Sequence, residues 1–405
     1  MNKPKVNEAA NGYTLEWQEG VTIEVSRIKD YRDDIYSEIT VSSSQADPPA
    51  LGATYKYYLL SQSGREKMSK MLTARLNTVR WAEVLEQLSN EVVSRFRAGE
   101  PLIKVLSSDN YLPTKYLLDP IIPEGMPTVI FGEPESGKSQ LAVIVAYAVA
   151  LPWEHNTLGW KTRDTPANVL FLDWEAGPSD LGYRSKCFMT GMSLPNIEFN
   201  YLGCSRPLVD MIEEVKEKVE KEKIQLIIID SLGYACSGDI NKADPATSLW
   251  RALRKIPNVT TLAIAHTQKG EGKRTVFGSQ FFEAGGRQIW ELRRDEESDE
   301  KELILGLFHN KSNISGRRQP MGYILSYGED SLSIRKHDLK QTTLVKSLPT
   351  RQQIERILLN DGAKTTKEIV EELGKPRTNI DVALKRMKDT GIVRKKEDET
   401  WEFIL

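Results

Sequence analysis

Hydrophobic and polar positions change period along the chain. Over residues 13–17, 21–25 and 36–42 apolar side chains alternate with polar ones, the pattern of half-buried strands. A turn-rich gap follows over residues 43–52, with Pro48 and Pro49, and a further strand is expected at 55–60. Apolar positions then recur at helical spacing, which predicts helices near 65–76 and 80–96. Residues 1–110 thus read as a small α+β domain, and no catalytic constellation stands out in it.

From residue 111 the pattern becomes short aliphatic runs separated by helical stretches. The runs at 128–131, 168–173, 226–230 and 261–266 predict buried strands of a mainly parallel sheet, with a helix at 211–221 among those between them. After Phe277 the shorter segments 288–293, 302–309, 323–327 and 331–336 read as antiparallel hairpins. The periodicity breaks over residues 341–349, which reads as a linker after a core of 111–340. Residues 350–405 then predict helices at 351–360, 366–373 and 379–390, with Gly374-Lys375-Pro376 as a turn and Thr365 or Thr366 as an N-cap. Ile392, Val393, Trp401, Phe403 and Ile404 suit a two-stranded wing, so the last unit resembles a winged helix-turn-helix module.

Composition narrows the class. The chain has 405 residues, 28% of them charged and 40% apolar, as in an ordinary soluble globular protein of two or three domains. Its longest apolar runs, such as Leu226-Ile227-Ile228-Ile229, are too short to span a bilayer, and the polar start at Met1 shows no secretory signal. Three cysteines without metal-ligand spacing suit a reducing cytosol, so a cytoplasmic location is expected. The net charge of −2 hides a basic stretch in which Lys375, Arg377, Lys385, Arg386, Lys388, Arg394, Lys395 and Lys396 face only Asp381 and Asp389. Such clustering is a nucleic-acid footprint. The third helix would lay Arg377, Lys385, Arg386 and Lys388 along a major groove, and a purely protein-binding winged helix is the alternative.

The chemistry begins at residues 132–139. Gly132-Glu133-Pro134-Glu135-Ser136-Gly137-Lys138-Ser139, followed by Gln140, lies between an apolar strand and a helix, the context a P-loop requires. Glycines let the backbone wrap a phosphate at the helix N-terminus, Lys138 reaches the β- and γ-phosphates of ATP, and Ser139 holds Mg²⁺. Leu226-Ile227-Ile228-Ile229-Asp230 reads as a Walker B strand whose Asp230 shares that Mg²⁺. The strand ending at Asp173 carries Glu175 one strand over from the P-loop. Glu175 is the first choice for the base that directs the attacking water, with Asp173 the alternative. His266 ends the strand after Walker B and opens a loop rich in glycine and cations (Lys269, Lys273, Arg274), a placement suited to sensing the γ-phosphate.

This order of P-loop, Glu175, Asp230, His266, Lys269 and Gly278-Ser279 resembles the RecA-type ATPase core, and more closely the RepA-like hexameric helicases of plasmids and phages, over about residues 112–335. The resemblance implies a homo-oligomeric ring, hexameric as in that family, with ATP at subunit boundaries. A cation from one copy would neutralise the γ-phosphate of the next, and Arg287, then Lys311 and Arg184, match the family's positions for such trans contacts. It implies two loops facing single-stranded DNA, one with Lys242 and one with Lys269, Lys273 and Arg274. The second loop is short beside many relatives, and residues 1–110 match no accessory domain of that family. The expectation is therefore a DNA-dependent ATPase acting as a ring-forming helicase or translocase of a mobile element. The rivals are an ATP-switched DNA-binding regulator and a filament-forming recombination factor.

Overall fold

The computed structural model describes every residue except 1, 10, 46–50, 52, 100–101, 108–112, 152, 154–155, 269–273, 315 and 405. The chain divides into two compact units, Met1–Pro113 with Asp210–Lys223, and Thr114–Val209 with Ile224–Leu405. In the first unit, strands β1 (Lys5–Ala9), β2 (Gly12–Trp17), β3 (Val21–Tyr31), β4 (Asp34–Ser43) and β5 (Thr54–Tyr58) pair antiparallel in sequence order. Alternation puts Val21, Ile23 and Val25 of β3, and Ile35, Ile39 and Val41 of β4, into the core. Helix α1 (Gln62–Arg75) starts at Ser61, whose hydroxyl accepts the Gly64 amide. Helix α2 (Trp81–Ala98) buries Trp81, Val84, Leu85, Leu88 and Val92, a stripe at helical spacing. Strand β1 was not expected, because Lys5, Asn7 and Glu8 give it almost no apolar signal.

The second unit holds strands β6 (Tyr116–Asp119), β7 (Ile122–Pro123), β8 (Pro127–Gly132), β9 (Lys161–Thr162), β10 (Asn168–Asp173), β11 (Asn200–Gly203), β12 (Ile224–Asp230) and β13 (Thr260–His266). Strands β14 (Gln288–Arg294), β15 (Glu302–Ser312), β16 (Met321–Tyr327) and β17 (Leu332–His337) follow. Its helices are α3 (Lys138–Ala150), α4 (Pro178–Met192), α6 (Ala243–Arg254) and α7 (Phe281–Gly285), while α5 (Leu208–Lys221) begins in this unit and continues into the first. Nine strands form one mixed sheet in the order β11-β10-β12-β13-β8-β14-β15-β16-β17. Neighbours from β11 through β14 are parallel, and those from β14 to β17 are antiparallel. Leu226, Ile227, Ile228 and Ile229 are fully buried, as a strand covered on both faces demands. Helix α3 is apolar all round because it too is enclosed, with Leu141 to Val149 buried.

The strand order corrects one expectation. Glu175 follows β10, and β12 and β13 separate β10 from the P-loop strand β8. Glu175 is therefore beside the Walker B strand, and His266 on β13 is the direct neighbour of the P-loop strand, with its Cα opposite Gly132.

In residues 341–349, expected as a linker, the chain makes 3₁₀ turns and buries Leu344, Val345 and Leu348 with Phe308 and Leu339. Asp295 Oδ2 accepts from Thr343 Oγ1 (2.7 Å) and from the Leu344 amide (3.1 Å). Helix α8 (Thr350–Asn360), strand β18 (Lys364–Thr365), helices α9 (Thr366–Leu373) and α10 (Arg377–Asp389) and strands β19 (Val393–Lys395) and β20 (Thr400–Phe403) complete the winged helix. Thr365 and Glu368 form a capping box at α9, and Gly374, at φ +60°, ends it. Ile354, Ile357, Ile369, Ile380, Leu384 and Met387 are the core. No helix among the described residues is long and apolar enough to cross a membrane.

Candidate active site

The P-loop joins the end of β8 to the start of α3. Gly137, at φ +79°, takes the left-handed conformation immediately before α3, whose first amides have no partners within the helix. A Cβ at Gly132 would lie 2.4 Å from the Leu292 carbonyl oxygen, so the strand end tolerates only glycine. Lys138 is buried, and its Nζ donates to the Glu133 carbonyl at 2.6 Å. Burial lowers its pKa, against the pull of Asp230, Glu175 and Glu133. The Ser136 hydroxyl is buried without a partner among the described residues. A buried lysine and an unsatisfied hydroxyl beside unpaired helix amides fit a bound phosphate chain.

Asp230 ends β12 and is hydrogen-bonded to Ser139. Burial raises its pKa; the Ser139 hydroxyl opposes that shift, while the carboxylates of Glu175 and Asp173 reinforce it. A carboxylate held in this way beside a hydroxyl and a phosphate cradle suits a hard cation such as Mg²⁺. The P-loop, Glu175, Asp230 and His266 line one cleft of about 360 Å³, walled by Leu303 and Tyr327.

Glu175 and Asp173 have different surroundings. Asp173 Oδ1 accepts the amides of Glu175 (2.9 Å) and Ala176 (3.0 Å), and its Oδ2 accepts the Tyr201 hydroxyl (3.0 Å). Its Oδ1 is thus committed to the turn and its Oδ2 to Tyr201 of β11. Glu175 Oε1 accepts from the Ser231 hydroxyl and lies 3.9 Å from His266 Nε2. The His266 imidazole, then the Ser231 hydroxyl, hold the Glu175 carboxyl below its ordinary range, against burial. Ser231 and Tyr201 were missed in the sequence. Ser231 carried a weak signal, a lone hydroxyl directly after the Walker B acid.

Other predicted residues are placed less simply. Arg184, on α4, pairs with Asp180 at 2.6 Å and lines the cleft of its own chain. Arg287 begins the segment leading into β14, its amide bonded to the Pro127 carbonyl at the far end of β8 from the P-loop. Its side chain is exposed. Lys311 Nζ donates to the carbonyls of Glu283 (2.6 Å), Gly286 (2.9 Å) and Ala284 (3.3 Å), closing the end of α7, and burial lowers its pKa. Lys242 is exposed at the start of α6. Lys269 and Lys273 lie outside the described residues.

Arg274, expected to contact DNA, lies beside the P-loop. Its Nη1 lies 3.2 Å from Glu133 of the P-loop and 3.9 Å from Glu291. Glu291 is buried within β14 and held by Arg293 (2.7 and 2.8 Å) and by Asn310 (3.1 Å). A lone acid inside Ile289-Trp290-Glu291-Leu292 was the available sequence signal. Arg274 thus neutralises an acid at the phosphate cradle. Arg274→Gln is expected to raise the KM for ATP about fivefold, as for a partly exposed ion pair, and to leave any stimulation by DNA unchanged. Initial rates across an ATP titration test this. An unchanged KM with lost DNA stimulation would return Arg274 to the DNA loop.

Comparison with known proteins agrees with this layout. Residues 107–272 match the family model of an AAA domain, and residues 356–403 match that of the sugar-specific transcriptional regulator TrmB. An HTH-type transcriptional regulator of Methanocaldococcus jannaschii, itself described as uncharacterized, is 36% identical over 55 residues. The match covers 14% of this chain and 62% of that protein, so the chain spans less than two thirds of the length of the relative. The chain is thus similar to an AAA domain around its P-loop and to a helix-turn-helix transcriptional regulator over its C-terminal winged helix.

Proposed function

We propose that the chain is a DNA-dependent ATPase with a RecA-like core of the RepA type, which works as a head-to-tail ring, hexameric by that likeness, as a helicase or translocase in replication of a mobile element. The observation that carries this reading is the position of Arg287. It is an exposed arginine at the far end of β8 from its own P-loop. In head-to-tail packing one copy presents such a face to the nucleotide cleft of the next. The strand order, with β13 between the P-loop strand and the Walker B strand, supports the RecA-like assignment.

In this reading Lys138 and the P-loop amides bind the β- and γ-phosphates of ATP. Mg²⁺, which Ser139 and Asp230 would hold, supplies neutralisation of charge on the phosphate oxygens when bound. Glu175 accepts the proton of the attacking water, and Ser231 and His266 keep its carboxylate ionised and oriented. Asp173 shapes the turn that presents Glu175. Arg184 adds positive charge from its own chain and Arg287 from the neighbour. Lys311 keeps a structural role at α7. His266 is the hinge of the second loop, because its carbonyl accepts the Phe277 amide at 2.8 Å. A change at the γ-phosphate therefore reaches residues 267–277, where Lys269 and Lys273, with Lys242 from the first loop, would grip single-stranded DNA.

A second reading, an ATP-switched DNA-binding regulator, is favoured by the likeness of the last 50 or so residues to transcriptional regulators. Steady-state ATP hydrolysis with and without single strands separates the two. Stimulation of about tenfold or more, indifferent to base sequence, is the result expected of the motor. Hydrolysis indifferent to single strands, together with tight binding of one duplex site, would replace it by the regulator.

A further inference from the structure

The cations of the winged helix fall into two groups. On the wing, Arg394 pairs with Glu402 at 2.7 Å, Lys396 with Glu402 at 3.2 Å, and Lys395 with Glu399 while lying over the Trp401 ring. Lys364, at the foot of α9, is likewise held by Glu372 (2.6 Å) and Asp361 (3.2 Å). The wing cations are thus matched by carboxylates within the domain. On α10 only Arg377 has such a partner, Asp381 at 3.7 Å. Lys385, Arg386 and Lys388 are exposed and carry no ion pair among the described residues. Three cations without an ion pair therefore cluster on α10, with Asp389 as the helix's other acid. Lys375 in the preceding turn and Arg356 on α8 are the further cations without an ion pair among the described residues of this domain.

That helix has a chemically mixed outer face. Ile380, Leu384 and Met387 point into the core. At 100° per residue this turns Thr378, Asn379, Val382, Lys385 and Arg386 outward. Val382 is 50% exposed, a branched aliphatic in the middle of a cationic face. Asn379 is exposed, and its side chain is bonded to nothing among the described residues. Neither is explained by packing. An asparagine amide forms paired hydrogen bonds with adenine in the major groove, and an aliphatic side chain meets the thymine methyl there. The two residues are three apart, about 4.5 Å along the helix axis, close to the 3.4 Å step between base pairs. They would therefore meet neighbouring base pairs.

We infer that α10 reads adjacent A·T pairs of duplex DNA, Asn379 contacting an adenine and Val382 a thymine methyl, while Lys385, Arg386 and Lys388 hold phosphates and the wing contributes little charge. This inference rests on the DNA-binding winged helix and is independent of whether the ATPase is a motor. Single strands are a poor fit for the face, because α10 exposes no aromatic side chain on which bases would stack.

The test uses the full chain and a pool of duplexes randomised over about ten base pairs, with bound sequences read out for the parent, Asn379→Ala and Val382→Ala. Both substitutions are at exposed positions, and far-ultraviolet circular dichroism checks that folding is unchanged. The expected result is enrichment of neighbouring A·T pairs by the parent. Each variant loses the preference at one position, about tenfold, with general duplex affinity retained. A bound motif that neither variant alters would overturn the assignment of readers while leaving the winged helix as a DNA-binding module. Absence of duplex binding, or self-association lost in Val382→Ala, would overturn the inference together with the DNA-binding reading beneath it.

Discussion

Arg287→Ala is expected to lower kcat for ATP hydrolysis by about 10³-fold or more, the effect of removing an arginine that stabilises a transferring phosphoryl group. The KM for ATP should change little, because the side chain acts on charge that develops in the transition state. Geometry makes the prediction specific. Arg287 is bonded through its amide to Pro127, and the P-loop begins at Gly132, the other end of β8. Six residues of strand put roughly 16 Å between those ends, beyond the reach of one side chain. Any role at a nucleotide must then be at another copy's site. Mixing Arg287→Ala with Lys138→Ala tests this directly. Each is expected to be inactive alone, and mixed oligomers of the proposed ring would contain sites with an intact Lys138 on one side and an intact Arg287 on the other. Recovered hydrolysis on mixing is the expected outcome. No recovery, with both proteins shown to co-assemble, would remove Arg287 from the mechanism and with it the main support for the ring.

Glu175→Gln is expected to lower kcat by about 10²- to 10⁴-fold, the range for loss of a general base, with nucleotide binding preserved. The amide keeps the size of the side chain and an oxygen for the Ser231 hydroxyl, but it does not accept a proton from water. The pH profile gives an independent reading. His266 and Ser231 hold the Glu175 carboxyl below the ordinary glutamate range. Its base function is therefore present above that lowered pKa and is lost only as pH falls through it. His266→Ala should move the acid limb of kcat/KM upward, toward the ordinary value. An acid limb unmoved by His266→Ala would show that the 3.9 Å contact has no influence on the base. Retention of more than a tenth of kcat in Glu175→Gln would point back to Asp173, despite the committed hydrogen bonds of its two oxygens.

These effects converge on a small volume. The cleft gathers one buried cation, Lys138, and the carboxylates of Glu175 and Asp230, and burial works against the charged form of Lys138 and Asp230. Each is better satisfied when a polyphosphate and a divalent cation share the site, which makes nucleotide binding favourable and keeps the site poised when it is empty. The contact of Arg274 with Glu133 adds a counter-charge at the rim, and the buried Glu291 ties that arginine to the sheet. The second loop and the P-loop are therefore joined by an ion pair as well as by backbone. In the proposed mechanism, nucleotide occupancy would bear on the loop from two sides, through His266 and through Arg274.

The sequence by itself determined the kinds of element and most of their positions. The aliphatic run before Asp230, the strand–loop–helix around Lys138 and the helical stripe of α10 are local patterns. They depend on neighbours two, three or four residues away, and such periodicities are written directly in the order of residues. The chemistry of the P-loop was legible for the same reason, since its glycines, Lys138 and Ser139 are consecutive. Tertiary structure alone decided which strands are neighbours, and so placed Glu175 beside the Walker B strand instead of the P-loop strand. It also decided what each long polar side chain binds. Arg274 found Glu133 and Glu291, Lys311 found the carbonyls at the end of α7, and Arg184 turned to its own cleft. Asp173 and Glu175, two residues apart and chemically alike, differ in their distant partners, Tyr201 for the first and Ser231 and His266 for the second, which come from three other stretches of the chain. Partners of this kind are brought together by folding across tens of residues, and no local pattern encodes them.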